Sequence, residues 1–227
     1  MDARLLLLLD SRAPAGAHHH SAGMEAAIEA GMVRTESDVA RFCRTRLHTS
    51  GQVAATFAAA ACLAWHCEAP VRHWNLLDAE LDARTPSEAQ RAASRALGRG
   101  LLRLARATVP GIDSDTPFAR HASAPHHALA VGAAVAACGA DAHVAARALA
   151  LSCCTAPASA AVRLLGLDPL ASQATLVRLA PAVDALAADC ARIAATTPIA
   201  QWPSGAAPAL DLLADVHLTA EVRLFAS

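Results

Sequence analysis

The sequence predicts an all-α protein, and three observations carry that expectation. Ala, Leu and Arg dominate the composition, and these are among the strongest helix formers. Apolar residues recur at helical spacing, while no stretch of several residues alternates in strand fashion. Cap residues followed by Pro or an acid, and Gly after apolar runs, mark helix starts and stops along the chain. At 227 residues the chain suits one helical domain, residues 1–227, long enough to bury a sizeable core. The expected architecture is bundle-like, without a sheet, and built from roughly eight to ten helices.

In chain order, Leu5–Leu9 reads as a short buried helix that ends on Asp10. The stretch Asp10–Glu25 is the least helical part of the chain. Pro14 fixes its own φ, Gly16 permits a positive φ or a close backbone approach, and His18-His19-His20 follows. Ser21 stands where an N-cap belongs, before a helix carrying Met24, Ala27 and Ile28 that Gly31 closes. Thr35 and Asp38 form a capping box for a helix with Val39, Phe42, Cys43 and Leu47 on one face. After Gly51, Val53–Trp65 is almost wholly apolar, as befits a helix in the middle of a bundle.

Pro70 precedes an amphipathic helix, Val71–Ala83, with Trp74, Leu77 and Leu81 facing inward. Thr85-Pro86-Ser87-Glu88 starts the long helix, with Thr85 as its cap; it runs to about Ala107, ~30 Å at 1.5 Å per residue. Pro110-Gly111 ends it. Ile112–Ala124 reads as loop with one short helix, and Pro125–Cys138 as helix closed by Gly139. Asp141 caps the next helix, which Pro157 is expected to kink or restart. Asp168-Pro169 begins another, with Pro181 expected to kink or split it. Gln201–Pro208 reads as loop and Ala209–Thr219 as the last helix, before the tail 220–227.

Composition excludes several chemistries. The chain has no Lys, so all 19 basic residues are Arg and no lysine phosphate loop, Schiff base or general base exists. A net charge of −1 gives no global pull toward nucleic acid or an anionic membrane. Seven cysteines without a Cys-x-x-Cys pattern point to free thiols in a reducing cytoplasm rather than a disulfide framework. Leu5–Leu9 is too short for a signal-peptide core, and no uninterrupted apolar run reaches about 18 residues. No Gly-x-Ser-x-Gly, His-Glu-x-x-His or Gly-rich phosphate loop is present.

Several clusters invite a functional reading beside an ordinary one. His18-His19-His20 could offer at most two ligands to one metal ion, or form a loop with one buried and two solvated imidazoles. Cys62 and His66 lie four residues apart on one helical face, with metal-edge spacing, in a helix that otherwise reads as core. His121, His126 and His127 read as loop and cap residues, or as ligands. Arg91, Arg95, Arg99, Arg103 and Arg106 form a stripe: a solvated face, or a docking strip for an acidic partner. Asp78, Glu80 and Asp82, with Arg84, read as a solvated helix face. Arg163 is the single charge in an apolar segment and needs a carboxylate or helix-end carbonyls.

The run Asp10-Ser11…Pro14…Gly16…Ser21-Ala22-Gly23-Met24-Glu25 resembles the N-terminal signature of the urease accessory protein UreF family, in an actinobacterial-like variant with His in place of an aromatic. Leu81–Pro86, Arg91–Arg95 and Gly98–Leu101 resemble the family's central long helix. Ala161-Val162-Arg163-Leu164 and Val222–Ser227 resemble its later motifs. Leu165-Gly166-Leu167 departs from the family's Pro-Leu-Gly-Gln, and Ala226 replaces its tail arginine.

The resemblance implies a non-catalytic cytoplasmic scaffold that needs no cofactor. It would bind a UreD/UreH-like protein, recruit or regulate a UreG-like GTPase, help insert nickel into the urease apoprotein, and form a homodimer within that complex. It places partner contacts at Pro14, Gly16, His18, Ser21, Gly23, Glu25 and Arg163, and at Arg223, Leu224 and Phe225 in the tail. The segments 1–20 and 220–227 would engage partners; no nucleic acid or membrane is implied. Two rival classes stay open: a His/Cys metal carrier using His18–His20 with Cys62 and His66, and a helical enzyme with a site of unfamiliar pattern.

Overall fold

The computed structural model describes residues 3–10, 12–15, 20–113, 115–205 and 207–218. Its helices are α1 (Ala3–Leu9), α2 (Met24–Glu29), α3 (Glu36–Arg46), α4 (Gln52–His66), α5 (Val71–Ala83), α6 (Glu88–Thr108), α7 (Pro117–His121), α8 (His127–Ala137), α9 (Ala142–Leu165), α10 (Pro169–Thr196) and α11 (Pro208–Leu218). No strand occurs among the described residues. The all-α expectation therefore holds.

α4 is the axis. It packs against α5, α8, α9 and α10, and its alanines are buried on every side. Small side chains explain the crowding, because helices lacking bulk at their contacts approach more closely. At the α4–α8 crossing a Cβ on Gly132 would lie 2.2 Å from the Ala58 carbonyl oxygen, so only glycine fits there. Two cores flank α4. One gathers Phe57, Trp74, Leu77, Leu101, Phe118 and Leu129; Trp74 and Phe118 stack at 4.9 Å, and Phe57 meets Trp202 edge-on at 5.1 Å. The other gathers Val39, Phe42, Leu47, Leu179, Val183 and Leu186 with several cysteines. α9 touches both and is long and apolar enough by length and composition to cross a membrane, yet here it packs against α4, α8 and α10.

Local signals were read with mixed success. The Thr35–Asp38 capping box forms in both directions, and Asp141 and Asp168 cap α9 and α10. Ser87, not Thr85, caps α6; its Oγ accepts from the Gln90 N–H at 3.2 Å and donates to Asp215 Oδ1 of α11 at 2.6 Å. That cross-chain anchor moves the start two residues along. Ser21 is not the cap of α2. Ala22 and Gly23 both turn left-handed, at φ 55° and 86°, and Gly23 takes the cap position. Pro157 and Pro181 neither split nor restart their helices. Each proline removes a single N–H donor, and dense packing on both sides of α9 and along α10 holds the helix course.

Candidate functional site

Ala15, in the described turn of the Asp10–Glu25 stretch, rests on α6. Gly100 makes this possible: a Cβ there would lie 2.2 Å from the Ala15 carbonyl oxygen. The described part of the loop is a tight turn, closed by Ala13 N–H to the Asp10 carbonyl at 2.9 Å and by an exposed Arg12–Asp10 ion pair at 2.7 Å. Pro14 is exposed at its tip. Ser21 is 0% exposed and Glu25 4%, so both lie inside the fold. Arg163 is exposed in the last turn of α9, its Nε donating to the Ser159 carbonyl at 3.4 Å. Gly16, His18, Arg223, Leu224 and Phe225 lie outside the described residues.

Beside this loop, the polar heart of the protein joins α5, α6, α7 and the start of α8. Arg95 Nη2 donates to Asp78 Oδ2 at 2.7 Å and to Asp82 Oδ2 at 2.6 Å. Its Nη1 donates to the Ala124 carbonyl at 3.1 Å. His126, 1% exposed, bridges Asp82 Oδ1 at 2.8 Å through Nε2 and Ser94 Oγ at 2.9 Å through Nδ1. Ser94 Oγ also accepts the His127 N–H at 3.1 Å. The network assigns a neutral imidazole: Nε2–H donates to Asp82 while the Ser94 hydroxyl donates to Nδ1. Burial pushes the His126 pKa down, and the Arg95 charge adds to that against the Asp82 bond. Burial would raise Asp78, but His121, with Nε2 3.5 Å from Oδ1, and the hydrogen bonds and charge of Arg95 hold its carboxyl well below the usual range.

Asp78, Asp82 and His126 are close enough together to hold a metal ion, and they are the sole such group among the described residues. The position is already filled. The Arg95 guanidinium lies within hydrogen-bonding distance of both carboxylates, so a cation has taken the negative charge. The cluster is therefore a polar joint between helices in which two carboxylates share one guanidinium. Asp78 corrects the reading of Asp78, Glu80 and Asp82 as one solvated face: it is buried, whereas Glu80 pairs with Arg84 near the surface. The signal was in the sequence, since Asp78 lies four residues after Trp74 and three before Leu81, on the inward face of α5.

Cys62 and His66 do not open toward a metal. Cys62 Sγ donates to the Ala140 carbonyl at 3.5 Å and His66 Nε2 meets the same oxygen at 3.0 Å, closing the turn before α9. Burial pushes the Cys62 thiol up to about 12, with the Asp141 charge assisting.

A family model for UreF matches residues 33–180, more than half of the chain and from just before α3 into α10. The Asp10–Glu25 loop and the tail fall outside that match. Among curated proteins, the urease accessory protein UreF of Mycobacterium marinum is 46% identical over 134 residues, 57% of each chain. That of Mycolicibacterium vanbaalenii is 46% identical over 132 residues, 58% of each. That of Mycobacterium tuberculosis is 42% identical over 134 residues, 57% of each. The aligned stretch thus spans little more than half the length of these relatives.

Proposed function

The chain belongs to the UreF family of urease accessory proteins, and from that premise we propose that it is a non-catalytic scaffold for nickel insertion into apo-urease. In this reading the chain, as one helical domain of residues 1–227, binds a UreD/UreH-like protein and presents a UreG-like GTPase to the urease apoprotein. It works in the cytoplasm, as a homodimer within the complex. The family match over α3 to α10 carries the proposal.

The chemistry of the site is compatible. Its two carboxylates share the Arg95 guanidinium, as in a joint between helices rather than a reaction centre. Pro14 and Arg163 offer exposed groups to a partner, while Ser21, Gly23 and Glu25 fix the shape of the loop behind Pro14. Leu6 and Leu7 on α1, Leu170 and Val177 on α10, and Leu212 on α11 are large apolar side chains left at the surface. Contacts from Gly16, His18 and the tail residues Arg223, Leu224 and Phe225 belong to the same proposal.

Co-expression with the UreD-like and UreG-like proteins of the same source tests it. Full-length chain is expected to co-purify with both. Removal of residues 222–227, or Gly100→Leu to lift the N-terminal loop from α6, is expected to weaken recovery of one partner without unfolding the chain. A full-length chain that recovers neither partner would sink the scaffold reading.

A further inference from the structure

A cavity of about 210 Å³ lies beneath α11, walled by the ends of α3 and α5, the starts of α4 and α8, and the middles of α6 and α9. Most of its wall is aliphatic, with Val53, Leu81, Leu97, Leu149 and Leu210. Polar side chains interrupt it, among them His20, Gln90, His127 and Asp211, and two of them, Arg46 and Ser50, stand out. Arg46 makes no ion pair and no side-chain hydrogen bond among the described residues, and its Nε is buried without a partner. The Ser50 hydroxyl is likewise buried without a partner.

The backbone delivers both groups to the cavity. Between α3 and α4 the chain does not continue as a regular helix but kinks within Leu47–Gly51. Thr49 leaves helical geometry at φ −115° and ψ −105°, and its hydroxyl donates back to the Thr45 carbonyl at 2.9 Å. Gly51 is held where a Cβ would meet the Arg46 carbonyl oxygen at 2.8 Å.

The charge on the wall selects a ligand class. Arg84, the other guanidinium there, leaves its Nε without a hydrogen-bond partner, but its charge is taken by Glu80 and its Nη2 donates to the Ile199 carbonyl at 2.8 Å. Asp211 takes a hydrogen bond from Gln90 Nε2 at 2.9 Å and stands beyond ion-pair reach of Arg46. One unpaired cation, with a carboxylate across the cavity, suits a single negative charge and disfavours a dianion. A planar guanidinium fits a planar carboxylate through two parallel hydrogen bonds. The aliphatic wall asks for an aliphatic body. The volume equals the liquid share of about seven waters, at ~30 Å³ each, which bounds the ligand's size.

We propose that this cavity binds a small aliphatic monocarboxylate, its carboxylate held by Arg46 and Ser50 and its chain packed against Leu81, Leu97 and Leu149. The site is independent of the scaffold reading and needs no partner protein.

Isothermal titration calorimetry on the isolated full chain tests it with pentanoate, 1-pentanol and pentylammonium. Pentanoate is expected to bind about tenfold or more tightly than either comparator. Arg46→Met is expected to abolish that preference, and Ser50→Ala to weaken pentanoate about threefold. Because Arg46 makes no ion pair or side-chain hydrogen bond among the described residues, Arg46→Met is expected to keep the thermal midpoint close to that of the parent chain. Should that variant fail to fold, the ranking of the three ligands on the unaltered chain still decides. Equal binding of all three, no binding of pentanoate up to about 10 mM, or an undiminished preference in folded Arg46→Met would each overturn the proposal.

Discussion

On the α5–α6–α8 side of α4, the protein buries a guanidinium between two carboxylates and brings backbones into contact at glycines. On the α3–α9–α10 side it buries chiefly alanine, branched aliphatic and cysteine side chains. The first side is specified by direction: Arg95, His126 and Ser94 have partners only in one mutual pose of their helices. The second is specified by volume, which many side chains of similar size can supply. One helix thus separates a joint that fixes geometry from a filling that contributes area. The UreF-family match runs through both.

Breaking the polar side is expected to have the largest effect. Arg95→Met leaves Asp78 buried with its strongest partner gone, at a cost of about 3 kcal/mol. Adding Asp78→Leu to that variant removes the orphaned charge and is expected to recover more than half of the loss. Urea denaturation measures both, and a double variant no better than the single one would show that packing, not charge, sets the stability of this side. Gly132→Ala comes next. Its new methyl would sit 2.2 Å from the Ala58 carbonyl oxygen and 2.6 Å from Ala61 Cβ, so α4 and α8 must part. The expected cost is about 2 kcal/mol.

How much of this was legible in the sequence follows the same division. The apolar side could be read almost residue by residue, because Val39, Phe42, Cys43 and Leu47 repeat with the helical period and all are buried. The central place of α4 followed from its being apolar all round. The polar joint could not be read that way. Arg95 looked like one member of an exposed arginine stripe, and its partners lie 13 and 17 residues away on another helix. Only the inward register of Asp78 pointed to it. Ser87 replaced Thr85 as a cap because Asp215 reaches it from 128 residues further on. Periodicity reports what a segment buries but not which distant group meets it. Arg46 and Ser50 were missed for a related reason, since Gly51 marks an interruption but not where the kink aims its neighbours.

The apolar side should answer more quietly. Cys43→Ala removes a buried thiol that makes only a weak contact, Sγ to the Cys154 carbonyl at 3.5 Å, and is expected to cost about 1 kcal/mol. Burial pushes the Cys43 and Cys154 thiols up to about 12, so they should also be inert. Cys67 is the exposed cysteine. A native-state titration with a disulfide reagent should find one fast thiol, lost in Cys67→Ser. Several fast thiols would mean that the apolar side opens readily, and the contrast between the two faces would weaken.

Acid offers the finest discrimination, because the depressed histidines lie at the start of α8, on the polar side. Burial lowers His127 to about 4, the nearby His20 adding to this, and burial lowers His126 as well. A histidine depressed in the fold binds its proton more readily once unfolded, so stability must fall as the pH drops from about 6.5 toward 4. Asp78 is depressed too, so its contribution is present above its unfolded value near 3.8 and is lost only below that. Acid sensitivity should therefore begin with the histidines and steepen with the aspartate. His127→Gln removes at most one proton from the first stage. Its urea-denaturation free energy should decline less than that of the parent between pH 6.5 and 4.5 and run parallel to it above pH 7. An unchanged slope would move the acid response off His127 and onto His126 and the other titrating groups.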